Sequence, residues 1–135
     1  MASKDEVEDY LNRLTNEQGG TFREVGPSLW VVKPGGELDF DVFVSLEGNV
    51  VVFNVKVMDL PKDGGTQSTL ARRLLELNAT DLIHGSYGIE QDAIVMTEAL
   101  ELGHLDYAEF MAAFESMTVA LASHLRELGA YREAR

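Results

Sequence analysis

LLELNATDLIHGSYGIEQDAIVMTEALELGHLDYAEF, residues 74–110, is the stretch on which the fold turns. It opens on Leu74 and Leu77 at helical spacing and passes glycines at 85 and 88. It then enters the apolar run Ala93 to Leu100 and closes on Asp106-Tyr107-Ala108-Glu109. That last quartet is a capping box: Asp106 accepts from the third helical N–H and Glu109 reaches back to the cap. The stretch therefore reads as the end of a helix, a strand from Asp81 to Ile89, a turn at Glu90-Gln91-Asp92, a second strand paired with the first, and the start of a long helix. Phe110, Phe114, Met117, Leu121, Leu125 and Leu128 continue that helix on one face as far as Gly129.

Upstream lies a loop, Asp59 to Gly65, and then Thr66 or Ser68 as the cap of a helix running to about Asn78. Leu70, Leu74 and Leu77 form its main stripe, and Ala71, Leu75 and Asn78 a second, adjacent one. A short helix apolar on two sides meets two neighbours. One is its own sheet. The other reads as a second copy of the chain, which makes Leu70, Ala71, Leu74, Leu75 and Asn78 the candidate dimer interface.

Between residues 21 and 58 the period changes to two. Thr21 to Val25 is a possible short strand and Ser28 to Lys33 a clear one, followed by a Pro34-Gly35-Gly36 turn. Phe40, Val42, Val44 and Leu46 share one face of the next strand, with Asp39, Asp41 and Ser45 opposite; only Phe43 interrupts the polar side. After the tight loop Glu47-Gly48-Asn49, Val51, Phe53, Val55 and Val57 alternate with Val50, Val52, Asn54 and Lys56. One face is uniformly apolar and the other mixed, the pattern of an antiparallel sheet covered on one side. Phe43, Val50 and Val52 on the mixed face either form an exposed apolar patch, which marks a contact surface, or lie under a neighbouring loop or helix. The N-terminal segment reads as a helix over residues 4 to 17, with Ser3 and Glu6 as a capping box, Val7, Tyr10, Leu11 and Leu14 as its apolar face, and Gly19-Gly20 as its end. The expectation is one α+β domain, residues 1–135: an antiparallel sheet of about five strands with helices packed on it, in the order α-β-β-β-α-β-β-α.

Composition excludes several function classes. The 135 residues carry 23 acidic against 11 basic side chains, a net charge of −12. Such a surface repels phosphate backbones and anionic lipid, so neither nucleic acid nor membrane is an expected partner. It suits basic partners, and it equally suits plain solubility. Without cysteine there is no disulfide, no thiolate nucleophile and no cysteine-ligated metal. No apolar run approaches the ~20 residues of a membrane span, and the acidic N-terminus is not a signal peptide; the expected location is the cytoplasm. His84, His104 and His124 lack the spacing of a metal site. The glycine pairs at 19, 35 and 64 do not make a phosphate loop. Asp39 and Asp41 read as the wet side of a strand, and the Asp59–Asp63 loop is too sparse in ligands for calcium. Ser28, Ser45 and Ser86 lie in no nucleophile motif. No catalytic residue, metal or cofactor is expected.

In combination, LARRLLELNAT at 70–80, LIHGSYGIEQDAIVMTEAL at 82–100 and LGHLDYAEFMAAFESMTVALASHL at 102–125 carry a resemblance. From residue 28 to 128 the chain resembles the type III secretion chaperone-like fold. It looks most like the YbjN-type family and less closely like the Tir-chaperone (CesT-like) family. The resemblance implies a sheet backed by the first and last helices, and no hydrolytic activity. Secretion chaperones of this fold are small, acidic and dimeric and bind an extended client segment, with the middle helix at the dimer contact; here that helix is residues 67–78. YbjN-type proteins resemble regulators or adaptors.

The leading expectation is a non-enzymatic, homodimeric, chaperone-like or adaptor protein that binds a protein or peptide client, with Tyr10, Trp30, Phe43, Val50 and Val52 as candidate partner-binding residues. The alternatives are a regulatory or assembly subunit that binds a folded partner and, behind it, a small-molecule binding domain.

Overall fold

A computed structural model of the protein describes residues 4–36 and 38–132. The elements run α1 (Lys4–Gln18), β1 (Gly20–Gly26), β2 (Leu29–Pro34), β3 (Val42–Glu47), β4 (Val50–Asp59), α2 (Gly64–Thr80), β5 (Ser86–Glu90), β6 (Ala93–Glu101), a single 3₁₀ turn (Leu102–His104) and α3 (Tyr107–Gly129). The six strands form one antiparallel sheet in the order β1-β2-β3-β4-β6-β5.

The sheet has six strands rather than about five. Thr21 to Val25 belong to a full strand, β1, paired with β2 from Gly20↔Pro34 to Gly26↔Leu29. Its length was hidden because its side chains are mostly exposed and polar, so it lacks the apolar alternation of its neighbours. The glycine pairs explain themselves here. Gly19 and Gly20 have φ of 85° and 92°, and a Cβ on Gly20 would drive into the carbonyl of Lys33. Gly35 packs as tightly against Gln18 and Gly19. The two pairs close on each other where α1 turns into the sheet, a steric role.

Pairing fixes which side chains share a face. Trp30, Val32, Val42, Val44, Val51, Phe53, Val55, Ile94 and Met96 all enter the single buried cluster, with Val7, Leu11 and Leu14 of α1 and the inward stripes of α2 and α3. A register shift between Lys56 and Met58 lets Val57 and Met58 both turn inward. At the centre, Phe53 meets Phe110 and Phe114 edge-on, with centroids 5.2 and 5.6 Å apart and planes at 86°. Each such fully buried side chain contributes roughly 1.5–3 kcal/mol over its exposed state.

The capping box before α3 is formed: Asp106 accepts from the Glu109 N–H at 2.8 Å, and Glu109 accepts from the Asp106 N–H at 3.3 Å. The expected box at Ser3 falls outside the described residues. The cap of α2 is Asp63, not Thr66 or Ser68: its Oδ2 accepts from both the N–H and the hydroxyl of Thr66. β5 begins only at Ser86, so His84 lies in the connection before it rather than on a strand. Gly85, with φ of 85°, immediately precedes the strand, which starts later than the expected Asp81. Likewise Asp39 and Asp41 precede β3, and Asp41 pairs with Lys33 at 3.1 Å.

Candidate protein-docking surface

The second face of the sheet stands opposite the helix-covered core. Across it run two rows set by register: Arg23, Val31, Phe43, Asn54 and Thr97, and beside them Leu29, Ser45, Val52 and Ala99. The buried apolar residues of all three helices belong to the cluster on the other face. Phe43 is 41% exposed; Val50, Val52, Val31 and Leu29 are half-buried by their sheet neighbours. Of Phe43, Val50 and Val52, Phe43 is the exposed one and the two valines are partly covered.

Two other candidate residues are not on that surface. Trp30 is wholly buried, on the opposite face of β2 from Val31, and its Nε1 donates to Glu8 of α1 at 3.1 Å. The indole is therefore a core side chain with a satisfied donor, not a docking residue. Tyr10 sits at the α1–α3 seam. Its hydroxyl donates to the Leu105 carbonyl at 2.9 Å, and its ring lies 5.2 Å from Phe110 and 6.0 Å from Tyr107. Beside it the Arg13 guanidinium stacks on the Tyr107 ring at 4.0 Å, and the Tyr107 hydroxyl donates to Glu17. Burial, then the hydrogen bond to Glu17, pushes the Tyr107 hydroxyl up to about 12.

The double stripe of α2 resolves into one inner face and one exposed leucine. Leu70, Leu74 and Leu77 are buried in the protein's own core and Ala71 is half-buried, whereas Leu75 is 67% exposed. Asn78 is engaged within the chain: its Nδ2 donates to the Tyr87 carbonyl at 3.1 Å and its Oδ1 accepts from the Tyr87 N–H at 2.8 Å. Leu70, Leu74 and Asn78 are thus engaged within the chain, and Leu75 is a large apolar side chain that α2 leaves exposed. Just beyond the helix Ile83 is 87% exposed.

Among the described residues no three histidine, aspartate or glutamate side chains come together as metal ligands, and no helix is long and apolar enough to cross a membrane. The sequence is matched over residues 2–134 by the CesT_Tir_1 family model.

The chain belongs to the CesT_Tir_1 family.

No curated protein sequence matches this CesT_Tir_1 member significantly. Its fold is similar to that of YbjN from E. coli, with a TM-score of 0.70 at 17% identity, covering 96% of this chain and 93% of that one. It is similar also to a chain of the heterodimeric ExoU–SpcU complex from the type III secretion system of Pseudomonas aeruginosa, at TM-score 0.68 and 13% identity over 90% and 96% of the two chains. A third similar structure is the Yersinia pestis type III secretion chaperone SycH in complex with a fragment of YscM2, at TM-score 0.58 and 10% identity over 85% and 96%. At such identities the likeness is one of fold.

Sequence reasoning missed the polar ties that hold this CesT_Tir_1 chain's α2 and β5 to α3. The Tyr87 hydroxyl lies 2.7 Å from His124 Nδ1, and His124 Nε2 lies 3.0 Å from Asp81 Oδ2. Burial pushes the Tyr87 hydroxyl up, while the hydrogen bond from His124, then that from Thr80, holds Asp81 below the usual carboxylate range. Arg73 of α2 pairs side-on with Glu127 of α3, Nε donating to Oε2 and Nη2 reaching Oε1 at 3.2 Å. His124 and Asp81 are 43 positions apart, so no local pattern announces them.

Proposed function

We propose that this protein is a non-enzymatic, chaperone-like adaptor that holds an extended segment of a partner protein on the open face of its sheet. The observation that carries the reading is the apolar strip Leu29, Val31, Phe43 and Val52, exposed or half-buried on the face opposite the cluster that holds the buried apolar helix residues, among the described residues. Membership of the CesT_Tir_1 family supports it, as do similar folds found in complex with other proteins. β1 adds a free strand edge beside the strip, where an extended segment gains main-chain hydrogen bonds. The net charge of −12 keeps such a complex soluble in the cytoplasm and favours basic segments. The protein acts as a homodimer through the exposed side of α2 around Leu75.

Selection from a displayed library of random extended segments tests this without a known partner. Segments with alternating apolar positions should be enriched, and the double variant Phe43→Ser, Val52→Ser should lose their binding by about tenfold or more, two apolar anchors at roughly 1 kcal/mol or more each. Unchanged binding by a folded double variant would remove the sheet face from consideration. Binding to folded proteins alone would favour a regulatory or assembly subunit.

A further inference from the structure

A second recess lies away from the open strip, beneath the junction of β6, the 3₁₀ turn and α3. It has a volume of about 340 Å³, and Leu100, Leu105 and Ala112 supply its apolar wall. Its polar wall is Glu101, Glu109, His84 and His104. No lysine or arginine lines it, and Glu101 has no ion-pair partner among the described residues. Glu109 commits one oxygen to the capping bond with the Asp106 N–H. His84 Nδ1 is shielded from solvent with no partner among the described residues, an unusual state for a buried polar atom. Glu101 shares its cross-strand partner Val50 with Glu47, and Asp106 caps α3 just after the turn.

The recess sits at the small end of the range for ligand pockets, about 300–1,000 Å³. A single long side chain suits it better than a cofactor. Apolar walls leading to two carboxylates match a side chain whose aliphatic stem is apolar and whose head is cationic. We propose that this recess receives an arginine or lysine side chain of the bound partner segment. The inference rests on the reading of the protein as a segment-binding adaptor. It deepens that reading by assigning a specificity pocket, so that bound segments carry a basic residue at a fixed distance from their apolar anchors.

The test is titration of the isotope-labelled protein, followed by NMR, with the capped tripeptide Leu-Arg-Leu and its neutral counterpart Leu-Gln-Leu. The arginine peptide should shift the amides of His84, Leu100, Glu101, His104, Glu109 and Ala112 saturably, and the glutamine peptide should bind about tenfold more weakly, the loss of a charge-assisted bond. The double variant Glu101→Gln, Glu109→Gln should bring both peptides to the same weak affinity. Glutamine retains the capping-box role at position 109, so α3 stays capped. Equal binding of the two peptides, shifts confined to another surface, or a double variant that still prefers arginine would overturn the assignment. If the pocket fails while displayed segments still depend on Phe43 and Val52, the docking face stands without it. If both fail, the adaptor reading itself falls.

Discussion

Asn78 offers its side-chain amide to Tyr87 as a neighbouring strand would offer its backbone, one donor and one acceptor at 3.1 and 2.8 Å. That pairing finishes the short edge strand β5 and ties it to α2. The Tyr87 ring then reaches inward, where its hydroxyl meets His124 and His124 meets Asp81. Each ring nitrogen of His124 thus has one polar partner, a hydroxyl at Nδ1 and a carboxylate at Nε2. Tyr87→Phe keeps the ring and removes the hydroxyl, leaving a buried ring nitrogen unpaired. Urea unfolding should show a loss of about 1–3 kcal/mol with an unchanged m-value; a loss near zero would mean that water replaces the hydroxyl. None of this was legible beforehand, because a histidine beside a helical apolar stripe looks the same whether or not a distant aspartate completes it.

At the scale of elements, α2 is where periodicity reached its limit. Spacing marked two apolar stripes, and the fold buried Leu70, Leu74 and Leu77 while leaving Leu75 in solvent. A helix packed against one sheet face buries one arc of its circumference; the adjoining arc waits for another molecule or for water. Leu75→Glu should therefore leave the fold intact, since nothing in the core is touched. If α2 is the contact of the proposed homodimer, light scattering should read a dimer for the native protein and a folded monomer for the variant. A native monomer at micromolar concentration would discard the homodimer. The strands were easier to read than the helices' partners. The alternation in β3 and β4 named both faces correctly, whereas β1, polar along most of its length, was legible only through its pairing with β2.

Over the whole molecule, 23 acidic side chains repel one another with only 11 basic ones to offset them. Several basic groups are already committed in pairs on the surface: Lys4 to Glu24, Lys33 to Asp41, Lys56 to Asp59 and Arg73 to Glu127. Exposed pairs of this kind add little each, so the net repulsion dominates the response to salt. Raising sodium chloride to roughly 0.5 M, where the screening length falls to a few ångströms, should raise the melting temperature. The same change should weaken the arginine tripeptide, so stability and basic-peptide affinity move in opposite directions. A melting temperature that falls with salt would show that the surface pairs outweigh the net charge. The sequence by itself determined the element types and the two-sidedness of the sheet, because a strand's period of two and a helix's of 3.6 are local properties of the chain. It also determined the acidic surface and the capping box of α3. Tertiary structure alone decided that Trp30 is core and Phe43 is not, that α2 keeps Leu75 outside, and that His84, Glu101 and Glu109 meet around one recess. Those outcomes depend on strand register and on which face the helices cover, and both are set by contacts between residues far apart in the chain.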